Sequence, residues 1–113
     1  MKGNQYLICR TEEPDLAFTG ELLAEVDSRE RKTDMHEWTV LQLYRTDTGK
    51  FVAVRERWSV DKRYRPGTVY PECDWVDSHV SDTTTGIVEW LGWSWLTKSL
   101  YDRAGIAPRQ VIP

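Results

Sequence analysis

A chain of 113 residues, 40% hydrophobic and 29% charged, has the composition of one globular domain, spanning 1–113, and holds no run of about 20 apolar residues that could cross a membrane. Its net charge of −3 argues against a protein that coats nucleic acid through its overall field. Cys9 and Cys73 are too few and too far apart for a disulfide framework, and "MKGNQYLICR" lacks a signal-peptide apolar run, so a soluble cytoplasmic protein with reduced thiols is expected.

In chain order, "QYLIC" (5–9) is short, apolar and bordered by polar residues, which predicts a strand. "LAFTGELLAEV" (16–26) alternates, with Leu16, Phe18, Leu22, Ala24 and Val26 on one face and Thr19, Glu21, Glu25 and Asp27 on the other. That period of two predicts a half-buried strand in which Gly20 marks a bulge or a close contact. The charged run "DSRERKTD" (27–34) is a solvated connection. "EWTVLQLYRT" (37–46) and "KFVAVRERWSV" (50–60) flank "DTG" (47–49), a hairpin whose Gly49 takes positive φ. The first arm is apolar on both faces, with Trp38, Val40 and Tyr44 opposite Leu41 and Leu43, so it belongs in the middle of its sheet. Residues 61–86 form an excursion in which Pro66-Gly67 turns the chain, Pro71 excludes a central strand, and one short edge strand falls near Thr68–Tyr70. A single helix follows within "GIVEWLGWSWLTKSLYDRAGIAP" (86–108), capped by Asp82 or one of Thr83–Thr85 and ended by Gly105 and Pro108.

This helix carries three tryptophans within six positions. At 100° per residue Trp90, Trp93, Leu96, Leu100, Tyr101 and Ala104 share one stripe, which makes Trp90 and Trp93 core. Ile87, Leu91 and Trp95 form a second apolar ridge on the other side. Three readings stay open for it: the excursion covers it with Val69, Tyr70, Trp75 and Val76, it is a contact surface for a protein partner or a second copy of the chain, or it lines a small-molecule pocket.

Chemistry-bearing constellations are thin. Cys73, Asp74, Asp77 and His79 include metal-capable types, but no Cys-x2-Cys pair gives zinc spacing, and nothing nearby activates Cys73 as a nucleophile for His79 or His36. There is no phosphate loop, hydrolase elbow or metalloprotease motif, so no catalytic residue, metal or cofactor is assigned. Charge is segregated, however. Residues 55–65 hold Arg55, Arg57, Lys62, Arg63 and Arg65 against two acids, with Trp58 and Tyr64 interleaved, while residues 12–30 hold seven acids against Arg29. Basic residues among aromatics can grip phosphates and stack bases, which makes these seven residues an alternative nucleic-acid surface. The competing reading pairs Arg55 and Arg57 with acids on the 16–26 strand.

Three blocks, "FTGELLAE" (18–25), "EWTVLQLYRTDTGKFV" (37–52) and "WLTKSLYDRAGI" (95–106), together resemble a group of small uncharacterised bacterial proteins often encoded on plasmids, phages and integrated elements. The first two are also loosely similar to the C-terminal part of bacterial EXLDI proteins. The resemblance covers about a third of the chain and implies a prokaryotic or phage origin in a mobile-element setting, where small proteins often act as regulators or inhibitors by binding. It carries no activity and no site residues. The sequence as a whole predicts an α+β domain, a mostly antiparallel sheet of four to five strands with one C-terminal helix packed on it. Its expected role is that of a non-enzymatic protein-interaction module, with a nucleic-acid-binding accessory protein as the alternative.

Overall fold

The computed structural model describes residues 3–31, 36–60 and 71–106. Five strands form one antiparallel sheet in sequence order: β1 (Asn4–Ile8), β2 (Leu16–Asp27), β3 (Glu37–Thr46), β4 (Phe51–Ser59) and β5 (Glu72–Ser81). Two helices follow, α1 (Thr84–Leu91) and α2 (Trp95–Ala104). The α+β class, the central position of β3 and the hairpin agree with the sequence reading. Gly49 takes φ 88°, and the turn is tied by Thr46, whose hydroxyl accepts from the Lys50 N–H at 2.9 Å.

The sheet curls into a half-barrel. Thr11, just beyond β1, reaches the far edge: its N–H donates to the Val76 carbonyl at 2.8 Å, and its hydroxyl accepts from the Val76 N–H at 2.9 Å. All five strands then pack against one another across the concave face, where Tyr6, Phe18, Tyr44, Val52, Val54 and Val76 meet. The rings of Tyr6, Phe18 and Tyr44 lie 4.7–5.4 Å apart. On the other face Val26, Leu41, Leu43 and Ala53 pack under the two helices, which contribute Ile87, Leu96 and Leu100. Arg103 on α2 pins this layer by donating to the Glu25 carbonyl at 2.8 Å and to both Glu30 carboxylate oxygens.

Strand β2 corrects the expectation that its apolar residues share one face. Its pairing with β3 slips between Leu22, opposite Tyr44, and Ala24, opposite Leu43. Leu23 is the extra residue of a bulge, and a bulge of one residue exchanges faces. Leu16 and Phe18 therefore serve the concave core, and Ala24 and Val26 serve the helix layer. Gly20 is needed for close approach, since a Cβ there would meet the Arg45 carbonyl of β3.

Two further corrections concern the C-terminal half. The Thr68–Tyr70 edge strand lies outside the described residues; the correction is to the rest of the excursion, where ten residues from Glu72 to Ser81 form an edge strand. Pro71 stands just before it, where a missing N–H does no harm. The single helix is two. Gly92 takes φ 76°, ψ −159°, a conformation only glycine enters readily, and Ser94 caps a new start. The Ser94 hydroxyl accepts from the Thr97 N–H at 3.1 Å and the Thr97 hydroxyl accepts from the Ser94 N–H at 2.7 Å, a reciprocal capping box. The end at Gly105, φ 80°, and the start at Thr83, whose hydroxyl accepts from the Gly86 N–H, fall where the sequence put them.

Candidate functional site: a tryptophan-lined groove at the helix elbow

The elbow between α1 and α2 resets the helical phase, and this redistributes the tryptophans. Ile87 is fully buried beneath α1, and Leu91 packs against the same core. The ridge of Ile87, Leu91 and Trp95 therefore does not exist as an exposed surface; its premise of regular phase fails at Gly92. Trp93, expected in the core, lies on the elbow itself, 51% exposed with its edge against Tyr101 at 5.3 Å. Trp90 is half-buried, stacked on His79 at 5.6 Å and covered by the Arg55 guanidinium at 4.7 Å. Trp95, the first residue of α2, is 40% exposed.

The elbow that carries Trp95 is held firmly. The Gly92 carbonyl accepts from the Tyr101 hydroxyl at 2.7 Å and from the Thr97 hydroxyl at 3.0 Å. Both donors are buried on α2, so the elbow is clamped to the helix it precedes. An exposed indole on a rigid elbow loses little conformational freedom when something binds to it, which is the economy that makes tryptophan effective at contacts.

Between this elbow and the sheet runs an open groove of about 790 Å³. Its sheet side includes Trp38, Leu41, Arg55, Arg57, Trp58 and Trp75, its helix side includes Leu91, Trp95 and Leu96, and Glu37 and Asp74 line it too. Arg57 lies opposite Thr39 on β3 and Trp75 on β5, at the level where the helices stop covering the sheet. The two arginines behave differently. Arg55 is committed: its guanidinium forms a two-pronged pair with Asp77 on the next strand, through Nε at 3.0 Å and through its NH2. Arg57 is exposed and has no hydrogen bond, ion pair or ring contact among the described residues. Neither arginine pairs with acids of β2, as the sequence reading had it, because β3 separates β2 from β4. Beyond the groove, Arg31 lies over the outer ring of Trp95 at 5.1 Å.

Of the alternative basic surface, Arg55, Arg57 and Trp58 all line this groove. Trp58 is stacked parallel to Trp38 at 6.5 Å, with Arg29 over Trp38 at 4.1 Å, and both indoles line the groove beside Arg57. Arg55 and Arg57, opposite Leu41 and Thr39, belong to the helix side. Lys62, Arg63, Tyr64 and Arg65 lie outside the described residues. Trp75 and Asp77 are the participants that the sequence reading placed differently, Trp75 as cover for the ridge and Asp77 as a metal-capable acid. Their alternation with Cys73 and His79 was the available strand signal.

The concave side offers a second polar cluster. Tyr44 donates to Gln42 at 3.1 Å, and Gln42 donates to Glu25 at 3.3 Å. Burial pushes the Tyr44 phenol up to about 12, and burial, helped by the nearby Glu25 charge, pushes the Glu56 carboxyl above its ordinary value. Burial also raises the Cys73 thiol, the opposite of what an activated nucleophile needs. Cys73 pairs with Trp58 on this side and His79 with Ala53 on the other, so the register separates Cys73 from His79. Among the described residues no cluster of three or more His, Cys, Asp or Glu could hold a metal ion, and no helix is long and apolar enough to cross a membrane. Both cysteines are free and exposed. Comparison with known proteins found no matching family model, no matching curated protein and no matching solved structure.

Proposed function

We propose that this protein is a non-enzymatic protein-interaction module, a small cytoplasmic regulator or inhibitor that works by docking a partner protein in the groove at the α1–α2 elbow. The observation that carries this is Trp95, 40% exposed, beside Trp75 on an open groove, on an elbow clamped at Gly92 by two buried hydroxyls. A domain that fixes with two side-chain hydrogen bonds the elbow from which a part-exposed tryptophan projects is organised to present it. The mobile-element setting suggested by the sequence blocks suits such a role.

Trp95→Glu tests it. Folding, read by circular dichroism, should be unchanged because the side chain is already part-exposed. Proteins from a bacterial lysate that are retained on the immobilised wild type should be lost on the variant, because a charge would have to be desolvated at the contact. Retention identical on both proteins would refute the groove as the docking surface. Light scattering of the wild type across concentration tells whether a second copy is the partner. The nucleic-acid alternative is weaker, because Arg55 is neutralised by Asp77.

A further inference from the structure

Resting on the reading that the elbow groove docks a partner, we infer the chemistry of what it docks: an extended peptide segment with an apolar or aromatic anchor followed by one carboxylate side chain. The charges around the groove lead there. Arg29, Arg55 and Arg103 each already hold a carboxylate, Asp27, Asp77 and Glu30 respectively, and Arg10 lies 3.8 Å from Glu13. Arg57, like Arg31 over Trp95 and Arg45 over Phe51, has no such partner among the described residues, and of these three only Arg57 lines the groove, beside Trp75. A guanidinium beside an indole, next to low-dielectric protein, is a ready receptor for one carboxylate, which it can bind through two parallel hydrogen bonds.

Two acids set the limit. Glu37 lies opposite Ser59, two residues along β4 from Arg57, or about 7 Å at strand spacing. Asp74, which also lines the groove, stands between Trp75, opposite Arg57, and Cys73, opposite Trp58. A second anionic group there would meet two carboxylates, so the groove accepts one negative charge and rejects a chain of them. This disfavours a phosphate backbone, with its charge on every unit, and favours a peptide in which the position after the acid is neutral or basic. The anchor side chain lies against Trp75, Leu91 and Trp95, where apolar area is available to bury.

Selection of random twelve-residue peptides displayed on phage, against the immobilised full chain, provides the probe. The enriched peptides, made with a fluorescein label, are titrated by anisotropy against wild type, Arg57→Gln, Trp75→Ala and Trp95→Ala, each checked for fold by circular dichroism. The expected peptides carry an aromatic or large aliphatic residue followed within three positions by Asp or Glu. Replacing that acid by its amide, or Arg57 by Gln, should weaken binding about ten-fold or more, and the two changes together should cost little beyond either alone. If the tryptophan variants weaken binding but Arg57→Gln changes it less than two-fold, the groove stands and the carboxylate inference falls. If neither tryptophan variant weakens binding, or no peptide is enriched, both fall. Micromolar binding of a thirty-nucleotide single strand at physiological salt, lost in Arg57→Gln, would overturn the peptide in favour of nucleic acid.

Discussion

Replacing Gly92 with alanine separates a two-helix elbow from a continuous helix by the sign of the effect. Gly92 has φ 76° and ψ −159°, a region nearly closed to residues with a β-carbon and costing about 1–3 kcal/mol to occupy. A Cβ there would touch nothing within 4 Å, so the cost is purely that of the backbone and no clash confuses it. Alanine lowers the entropy of the unfolded chain, which returns about 0.4–1 kcal/mol. The net expectation is a loss of about 1–2 kcal/mol, or roughly 3–10 °C in melting temperature for a domain of this size. Within an unbroken helix the same change would stabilise by about 1 kcal/mol, because glycine is the poorer helix former. Urea denaturation followed by far-ultraviolet circular dichroism reads the difference directly. A Gly92→Ala protein as stable as the wild type, or more stable, refutes the elbow and with it the rigid presentation of Trp95.

Other parts of the structure make independent predictions. Gly49→Val, at φ 88° in the hairpin turn, should cost about 1 kcal/mol or more in the same denaturation experiment. Asp77→Ala strands a part-buried Arg55 and should cost about 1–2 kcal/mol, whereas Arg57→Ala, with no partner to lose, should change stability by less than about 0.5 kcal/mol. Glu56 has its carboxyl raised, chiefly by burial, so the folded state binds its proton more readily than the unfolded chain. Its ionisation therefore costs stability above the unfolded value of 4.5, and the cost disappears as pH falls below it. Glu56→Gln, which keeps an acceptor for the Trp58 indole, should be more stable than wild type at pH 7 and indistinguishable from it near pH 4. An equal gain at both pH values would contradict that assignment.

What could be read from the sequence was local. The β3–β4 hairpin declares itself through two alternating runs around Asp47-Thr48-Gly49, and the central place of β3 follows from apolar residues on both its sides. Strand β5 was hidden because its helix-side positions Trp75, Asp77 and His79 mix apolar, acidic and basic types, and a bulge puts Cys73 on the other side. Its true pattern, one side facing the helices and the other the concave core, appears only once β4 is beside it. The bulge at Leu23 was invisible for a related reason: adjacent leucines satisfy either face, so alternation reads the same with or without an extra residue. The elbow was missed because a glycine inside a helical pattern is usually tolerated, and because Thr97 stands where a capping box more often has Glu or Gln. Trp95 is part-exposed, and its setting could not be foreseen. Trp75 and Arg57 come from β5 and β4, and only the sheet brings them to α2.

The six tryptophans provide the most direct measurement, since each gives one indole N–H signal in a nitrogen-15 correlation spectrum. Titration with the tightest phage-selected peptide should shift or broaden the Trp75 and Trp95 signals, while Trp90, packed between His79 and Arg55, and Trp93, against Tyr101 on the far side of the elbow, stay in place. Binding that leaves Trp75 and Trp95 unmoved, or that moves only Trp90 and Trp93, would contradict a docking groove at the helix elbow.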